Sequence, residues 1–190
     1  REAFAYSDVG LILMGLVVEK VTGTSEDEFV RKNIYLPLGM VDTGYNPSDE
    51  QKKRAAPAEK RDPNDENWIK GEVHDPRAYE MDGVAGHAGN FSTAPDLAIL
   101  SSMILGHGTY TPASGAEPVK ILSPETFALM TEPLAVPRGI RSRGWDKRSP
   151  YSGNRPALMS PQAVGHSGFT GTSIWIDPGT DLFVIFLGNR

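Results

Sequence analysis

Two short strings hold side chains able to work on a carbonyl group: Tyr6-Ser7-Asp8 near the start and Gly165-His166-Ser167-Gly168 near the end. A phenol and an imidazole can each carry a proton to or from a reacting oxygen, and a serine hydroxyl becomes a nucleophile once a base takes its proton. Each string also has a purely structural reading. Ser7 can cap a helix, with Tyr6 and Leu11 as a hydrophobic staple around it. His166 can be an inert, hydrogen-bonded histidine leading into an edge strand.

Two other chemistries are weaker. Gly165-His166-Ser167-Gly168 approaches the G-x-S-x-G elbow of α/β-hydrolases, but the fifth residue is Phe169 and a β-hairpin pattern follows. The elbow needs a helix after its serine, so Ser167 is a poor nucleophile. The four histidines are His74, His87, His107 and His166. None belongs to an H-E-x-x-H-type pattern, and His74, Asp75 and His87 lack helix-face spacing, so neither a metal nor another cofactor is expected.

Composition narrows the partners. The 190 residues suit one domain with a substantial core, and a net charge of -5 argues against nucleic acid or an anionic membrane surface. Lys52, Lys53 and Arg54, and again Arg138, Arg141 and Arg143, cluster in Pro- and Gly-containing stretches and read as solvated loops. Cysteine is absent, which excludes disulfides and leaves the redox compartment open. The most apolar run, Val9 to Val18, has ten residues, about half a membrane span. No signal-peptide pattern opens the chain, and Arg1 does not read as a natural start. Nothing in the sequence sets an oligomeric state.

The elements that must carry the two strings follow from local signals. A helix is expected over about Asp8 to Val21, ended by Gly23; it is apolar on nearly every face and so expects burial in a larger body. Ser25 and Glu28 make a capping box for a helix over about Glu26 to Tyr35, stopped by Pro37 and Gly39. Residues 43 to 80 lack sustained periodicity and read as a long irregular excursion. Thr93 and Asp96 bracket a helix start with Gly106 beyond its end, and a short helix follows Ser123. Gly171 to Ile176 and Leu182 to Leu187 form an antiparallel hairpin whose turn has a Pro to preset φ and Gly179 to accept positive φ. Helices first (about 1–135) and strands last (about 140–190) predict an α+β fold.

Taken in order, these pieces resemble a known family. Tyr6-Ser7-Asp8 opens an apolar helix; Thr22-Gly23 and Pro37-Leu38-Gly39-Met40 follow. Then come Gly83-Val84-Ala85-Gly86-His87-Ala88-Gly89 running into Ser92-Thr93-Ala94-Pro95, and Gly165-His166-Ser167-Gly168-Phe169-Thr170-Gly171-Thr172 before the hairpin and Asn189-Arg190. This order resembles the serine β-lactamase-related family of class C-like β-lactamases, penicillin-binding proteins, esterases and D-aminopeptidases. The likeness covers residues 1–190 as one partial domain of the β-lactamase/transpeptidase-like fold.

The resemblance implies acyl-enzyme chemistry on a β-lactam, a D-amino-acid peptide or an ester, in the periplasm or outside the cell. Tyr6 takes the role of the tyrosine of a Y-x-N motif and moves protons on and off nucleophile and leaving group. Since a free phenol titrates near ~10, the role requires positive charge nearby. The family lysine supplies that charge, with His166 close by as the other catalytic residue. Ser167, Gly168 and Phe169 border the substrate, Phe169 through its backbone N–H as half of an oxyanion hole and Gly168 by letting the acyl group lie on the strand. Asp8 stands where the family has Asn; a carboxylate accepts hydrogen bonds without donating any, which counts against binding the amide side chain of a β-lactam and makes a positively charged or a different acyl group a candidate. The family nucleophile lies in an S-x-x-K motif. No serine in the chain has lysine three places on, so the motif is expected before Arg1 and the 190 residues alone are expected to be inactive. With the family's last helix also missing, truncation at both ends predicts exposed apolar faces on the helix and the hairpin. The alternative is a catalytically inactive domain that holds peptidoglycan-like peptides or serves a structural role in a larger protein.

Overall fold

The computed structural model describes residues 3–189, so Arg190 of the Asn189-Arg190 landmark lies outside the described residues. The chain forms two compact units. One comprises Tyr6–Asp96 with the residues from Gly188 on, and the other comprises Leu97–Leu187 with the residues up to Ala5.

The first unit is helical. Helix α1 spans Asp8–Thr22 and ends at Gly23, whose φ of 71° is the left-handed conformation expected of a glycine after a helix. Ser7 has the extended backbone of a cap, but its side chain makes no capping bond. Ser25 likewise caps nothing through its side chain. Instead the Glu26 amide donates to Glu19 Oε1 at 3.0 Å, so the preceding helix supplies the acceptor. Helix α2, Glu26–Val30, continues as a π-helical segment, Arg31–Tyr35, and a last turn, α3, Leu36–Leu38. Pro37 lies inside that last turn rather than beyond it. A proline there has no N–H for the carbonyl four residues back and its ring crowds that carbonyl, which the wider π register relieves.

The excursion at 43–80 is less irregular than expected. Helix α4, Asp49–Arg54, begins at a true capping box between Ser48 and Gln51, and helix α5, Pro76–Glu80, is capped by Asp75 accepting from the Ala78 amide at 2.9 Å. The glycine string packs on α1 so closely that a Cβ on Gly86 would stand 2.2 Å from the Leu11 carbonyl, and one on Gly15 would stand 2.1 Å from Glu26 Oε2. A core of Val73, Ala78 and Ala85 lies beneath.

The apolar faces of α1 stay open, as predicted for the helix in this chain. Val9, Leu13, Met14, Leu16, Val17 and Val21 are all exposed, and only Gly15 is buried. The reason is geometric: Gly86 and Glu26 cover one face of a helix that is apolar all round. No helix among the described residues is long and apolar enough to cross a membrane.

Close packing costs the Glu26 carboxyl. Burial pushes its pKa up, against the hydrogen bond from the Tyr45 hydroxyl at 3.2 Å. An unburied glutamate titrates near 4.5, so the folded state holds this proton more tightly than the unfolded state does. The stability tied to that proton is complete below the unfolded value and is lost as pH climbs through the folded one. Glu26→Gln keeps an acceptor for Tyr45 and removes the charge. It is therefore expected to melt above the parent at neutral pH and together with it in acid. Coincident melting at both pH values, followed by circular dichroism, would contradict this account.

The second unit opens with helix α6, Ala94–Leu105, in which the chain passes from one unit to the other. A two-residue ribbon, β1 (Thr109–Tyr110) and β2 (Val119–Lys120), and helix α7, Pro124–Thr131, with Ser123 as its cap, come next. The strands β3 (Leu134–Val136), β4 (Gly139–Arg141), β5 (Asp146–Arg148), β6 (Val164–Ser167), β7 (Ser173–Asp177) and β8 (Leu182–Phe186) form one antiparallel meander, each pairing with its neighbours in sequence. The α+β expectation holds, with more strands than the hairpin. In the β7–β8 turn the left-handed position falls on Asp181, φ 52°, rather than on Gly179; aspartate is among the few side chains that tolerate it. One face of β8 stays open, with Leu182, Val184 and Phe186 exposed, as predicted for the hairpin.

Candidate active site

The two chemical strings fall in different units, and each is described within its own. In the second unit, β7 runs antiparallel along all of β6, setting Gly165 opposite Trp175, His166 opposite Ile174 and Ser167 opposite Ser173. Strand β5 meets β6 only at Asp146–Gly165. From His166 onward the β5 side of the strand therefore has no ladder partner among the described residues. Such an edge can receive an extended substrate.

Alternation along a strand sends His166 to one face and Gly165 and Ser167 to the other. Gly165 is required where it stands: a Cβ would come within 2.3 Å of the Trp175 indole, which is buried to 2% exposure. His166 is partly buried and its Nδ1 lies 2.8 Å from the Ser167 carbonyl. A carbonyl only accepts, so Nδ1 carries the proton and, in the neutral ring, Nε2 holds the lone pair. The backbone thus selects the tautomer with a basic Nε2.

Beyond Ser167 the chain turns tightly. The Gly168 amide donates to the Thr172 carbonyl at 2.7 Å, and the Gly171 amide donates back to Gly168 at 3.1 Å. A Cβ on Gly168 would stand 2.3 Å from Thr172 Oγ1, so a side chain here would have to displace that hydroxyl. Phe169 sits exposed on this turn. A strand follows Ser167, not a helix, in keeping with its rejection as an elbow nucleophile.

In the first unit Tyr6 is partly buried two residues ahead of Asp8, the first residue of α1. Asp8 does not present a bare carboxylate. Arg77 Nη1 donates to its Oδ2 at 2.9 Å, across 69 positions of sequence. In this structure the Asp8 carboxylate is paired with a cation of the chain itself. The side chains of His74, Asp75 and His87 are occupied otherwise: His87 Nε2 lies 2.9 Å from Asp75 Oδ1, and His74 Nε2 lies 3.4 Å from Glu59. Burial raises the Asp75 pKa, but the Ala78 amide and His87 outweigh it and hold the carboxyl below the usual range. Among the described residues no cluster of three or more His, Cys, Asp or Glu could hold a metal ion. Sequence reasoning missed Arg77 and, in the second unit, Asn154, since neither belongs to a motif.

A protein-family model described as Beta-lactamase matches residues 1–190. An N-acetylmuramyl-L-alanine amidase of Bacillus subtilis (strain 168) is 37% identical over 97% of this chain and 44% of its own length. A protein of Escherichia coli (strain K12) with a provisional D-alanyl-D-alanine carboxypeptidase name is 36% identical over 97% of this chain and 44% of its own length. The chain therefore spans less than half of these curated relatives. A penicillin-binding protein homolog from Caulobacter crescentus, 22% identical, superposes with a TM-score of 0.70 over all of this chain and 53% of that one; at this identity the likeness concerns the fold alone.

Proposed function

Since the chain belongs to the beta-lactamase family of hydrolases, we propose that it forms part of a serine acyl-transfer enzyme acting on peptides that end in D-alanyl-D-alanine or on related esters. The observation that carries this reading is His166: a tautomer with a basic Nε2, at the start of an open strand edge, beside a glycine turn. Tyr6, in the other unit, is a second group able to move protons.

The steps follow from acyl-transfer chemistry. A serine of an S-x-x-K motif, absent from these 190 residues, attacks the carbonyl and its proton passes to the Tyr6 phenolate. The C–N or C–O bond breaks, and the leaving group takes the proton back. Water then adds to the acyl-enzyme and releases the acid. The substrate chain lies along the open edge of β6, and the Phe169 amide supports the oxyanion. The relatives' names refer to cell-wall chemistry, which supports a location in the periplasm or outside the cell.

The test is an assay of the full-length protein on N-acyl-D-alanyl-D-alanine and on a p-nitrophenyl ester, with the 190-residue chain as a control expected to be inactive. Release of D-alanine or p-nitrophenol with a trapped acyl-serine supports the reading. Peptide binding without turnover would move the protein to the class of binding domains.

A further inference from the structure

The connection between β5 and β6, residues 149–163, brings Asn154 against the end of β6. Asn154 Oδ1 lies 3.1 Å from Ser167 Oγ and 3.2 Å from Trp175 Nε1. An indole nitrogen can only donate, so the atom facing it must be the amide oxygen, and chemistry alone decides which way the side chain is flipped. The same oxygen receives the Ser167 hydroxyl proton. Trp175 cannot retreat, since it is buried against Met159 and Ala163 and crosses Gly165. The loop is also tied down, with Arg155 Nη2 donating to the carbonyls of Met159 and Ser160 at 2.8 and 2.6 Å.

Two consequences follow for the open edge of β6. Ser167 donates its only hydrogen to Asn154, so offering it to a ligand would cost that bond. Asn154 Nδ2 lies on the far side of a carbonyl held twice, has no acceptor among the described residues, and belongs to an exposed residue. The donor free at this end of the strand is thus Asn154 and not the motif serine.

We infer that Asn154 is a specificity-determining residue of the proposed site, its amide N–H groups taking the terminal carboxylate of the substrate's leaving group. A carboxylate only accepts, so it matches Nδ2 and could take the Ser167 hydrogen only at the cost of its bond to Asn154. Charge assistance makes it a stronger acceptor than a terminal amide. The inference rests on the acyl-transfer reading above and adds the feature of the leaving group that the site selects.

Asn154→Asp removes the donor and adds a charge that itself repels a carboxylate, so Asn154→Ala, which removes the donor without adding charge, is run beside it and must also lose the preference. Asn154→Asp keeps an oxygen for Trp175 and Ser167 and replaces the N–H groups by a second oxygen. The full-length protein and both variants are compared on N-acetyl-D-alanyl-D-alanine and on the same dipeptide with a C-terminal amide. The indole N–H resonance of Trp175 verifies that the anchoring bond persists in Asn154→Asp. The parent is expected to prefer the free carboxylate by about tenfold or more through KM, and both variants to lose that preference. An unchanged preference in Asn154→Ala, or in Asn154→Asp with a native Trp175 resonance, would overturn the inference and leave the acyl-transfer reading standing. A parent that hydrolyses neither dipeptide nor any ester would remove the reading itself, and the inference with it.

Discussion

Tyr6→Phe in the full-length protein is expected to slow turnover of a p-nitrophenyl ester by ~10²-fold or more, with a much smaller effect on KM. The substitution removes one oxygen and leaves the ring in its place. If the phenol carries the nucleophile's proton, its loss is felt only in the transition state, which lowers kcat and kcat/KM together. A capping or packing role predicts something else. The ring would still sit ahead of α1, turnover would stay near the parent value, and any loss would appear as a lower melting temperature. Ser7 makes no side-chain cap at this helix, so a bland function for the string has one support fewer. Parental turnover in Tyr6→Phe would take Tyr6 out of the chemistry.

Asp177→Ala is expected to destabilise the second unit by about 3 kcal/mol or more. Asp177 is fully buried at the end of β7. It accepts from the Ser160 amide at 2.6 Å, from the Ser160 hydroxyl, from the Gly179 amide at 3.0 Å and from the Thr180 hydroxyl at 2.9 Å. Alanine would remove the acceptor from all four donors; Gly179 and Thr180 are exposed and can turn to water, so the cost falls mainly on the half-buried Ser160 amide and hydroxyl, where an unpaired donor costs more than the bond itself was worth. The carboxylate ties the β7–β8 turn to the stretch that leads into β6, so its loss would also loosen the strand bearing His166 and Ser167. Burial alone would raise the pKa, but the four donors outweigh it and hold the carboxyl below its ordinary value of 3.8. The folded state therefore binds this proton less tightly than the unfolded state does. The stability tied to it is present above 3.8 and lost as pH falls through the folded value. Urea melts should show parent and Asp177→Ala converging in strong acid and separating toward neutrality. A constant gap across that range would assign the effect to packing rather than to charge.

Helix α1 and its glycine stop, the Ser123-capped helix and the β7–β8 hairpin were legible because each depends on neighbours within a few positions. The capping box at Ser48–Gln51 carries the same kind of signal, hidden by the prolines around it. Strands β3, β4 and β5 were not legible: each has three residues, too few for alternation to register, and exists only through pairing with the next. The π segment before Pro37 was equally hidden, as it arises from a clash between a ring and a carbonyl rather than from any pattern.

For the site, sequence alone determined its residue types: a phenol, an imidazole and a run of glycines in an order tied to one family. Tertiary structure decided what those groups present. Arg77 reaches Asp8 from 69 positions away and pairs with it, and Trp175 turns the amide of Asn154 so that its oxygen also takes the Ser167 hydroxyl proton. Hydrogen bonds and charges act through space over a few ångströms, and the order of residues along a chain does not say which side chains will meet within that distance.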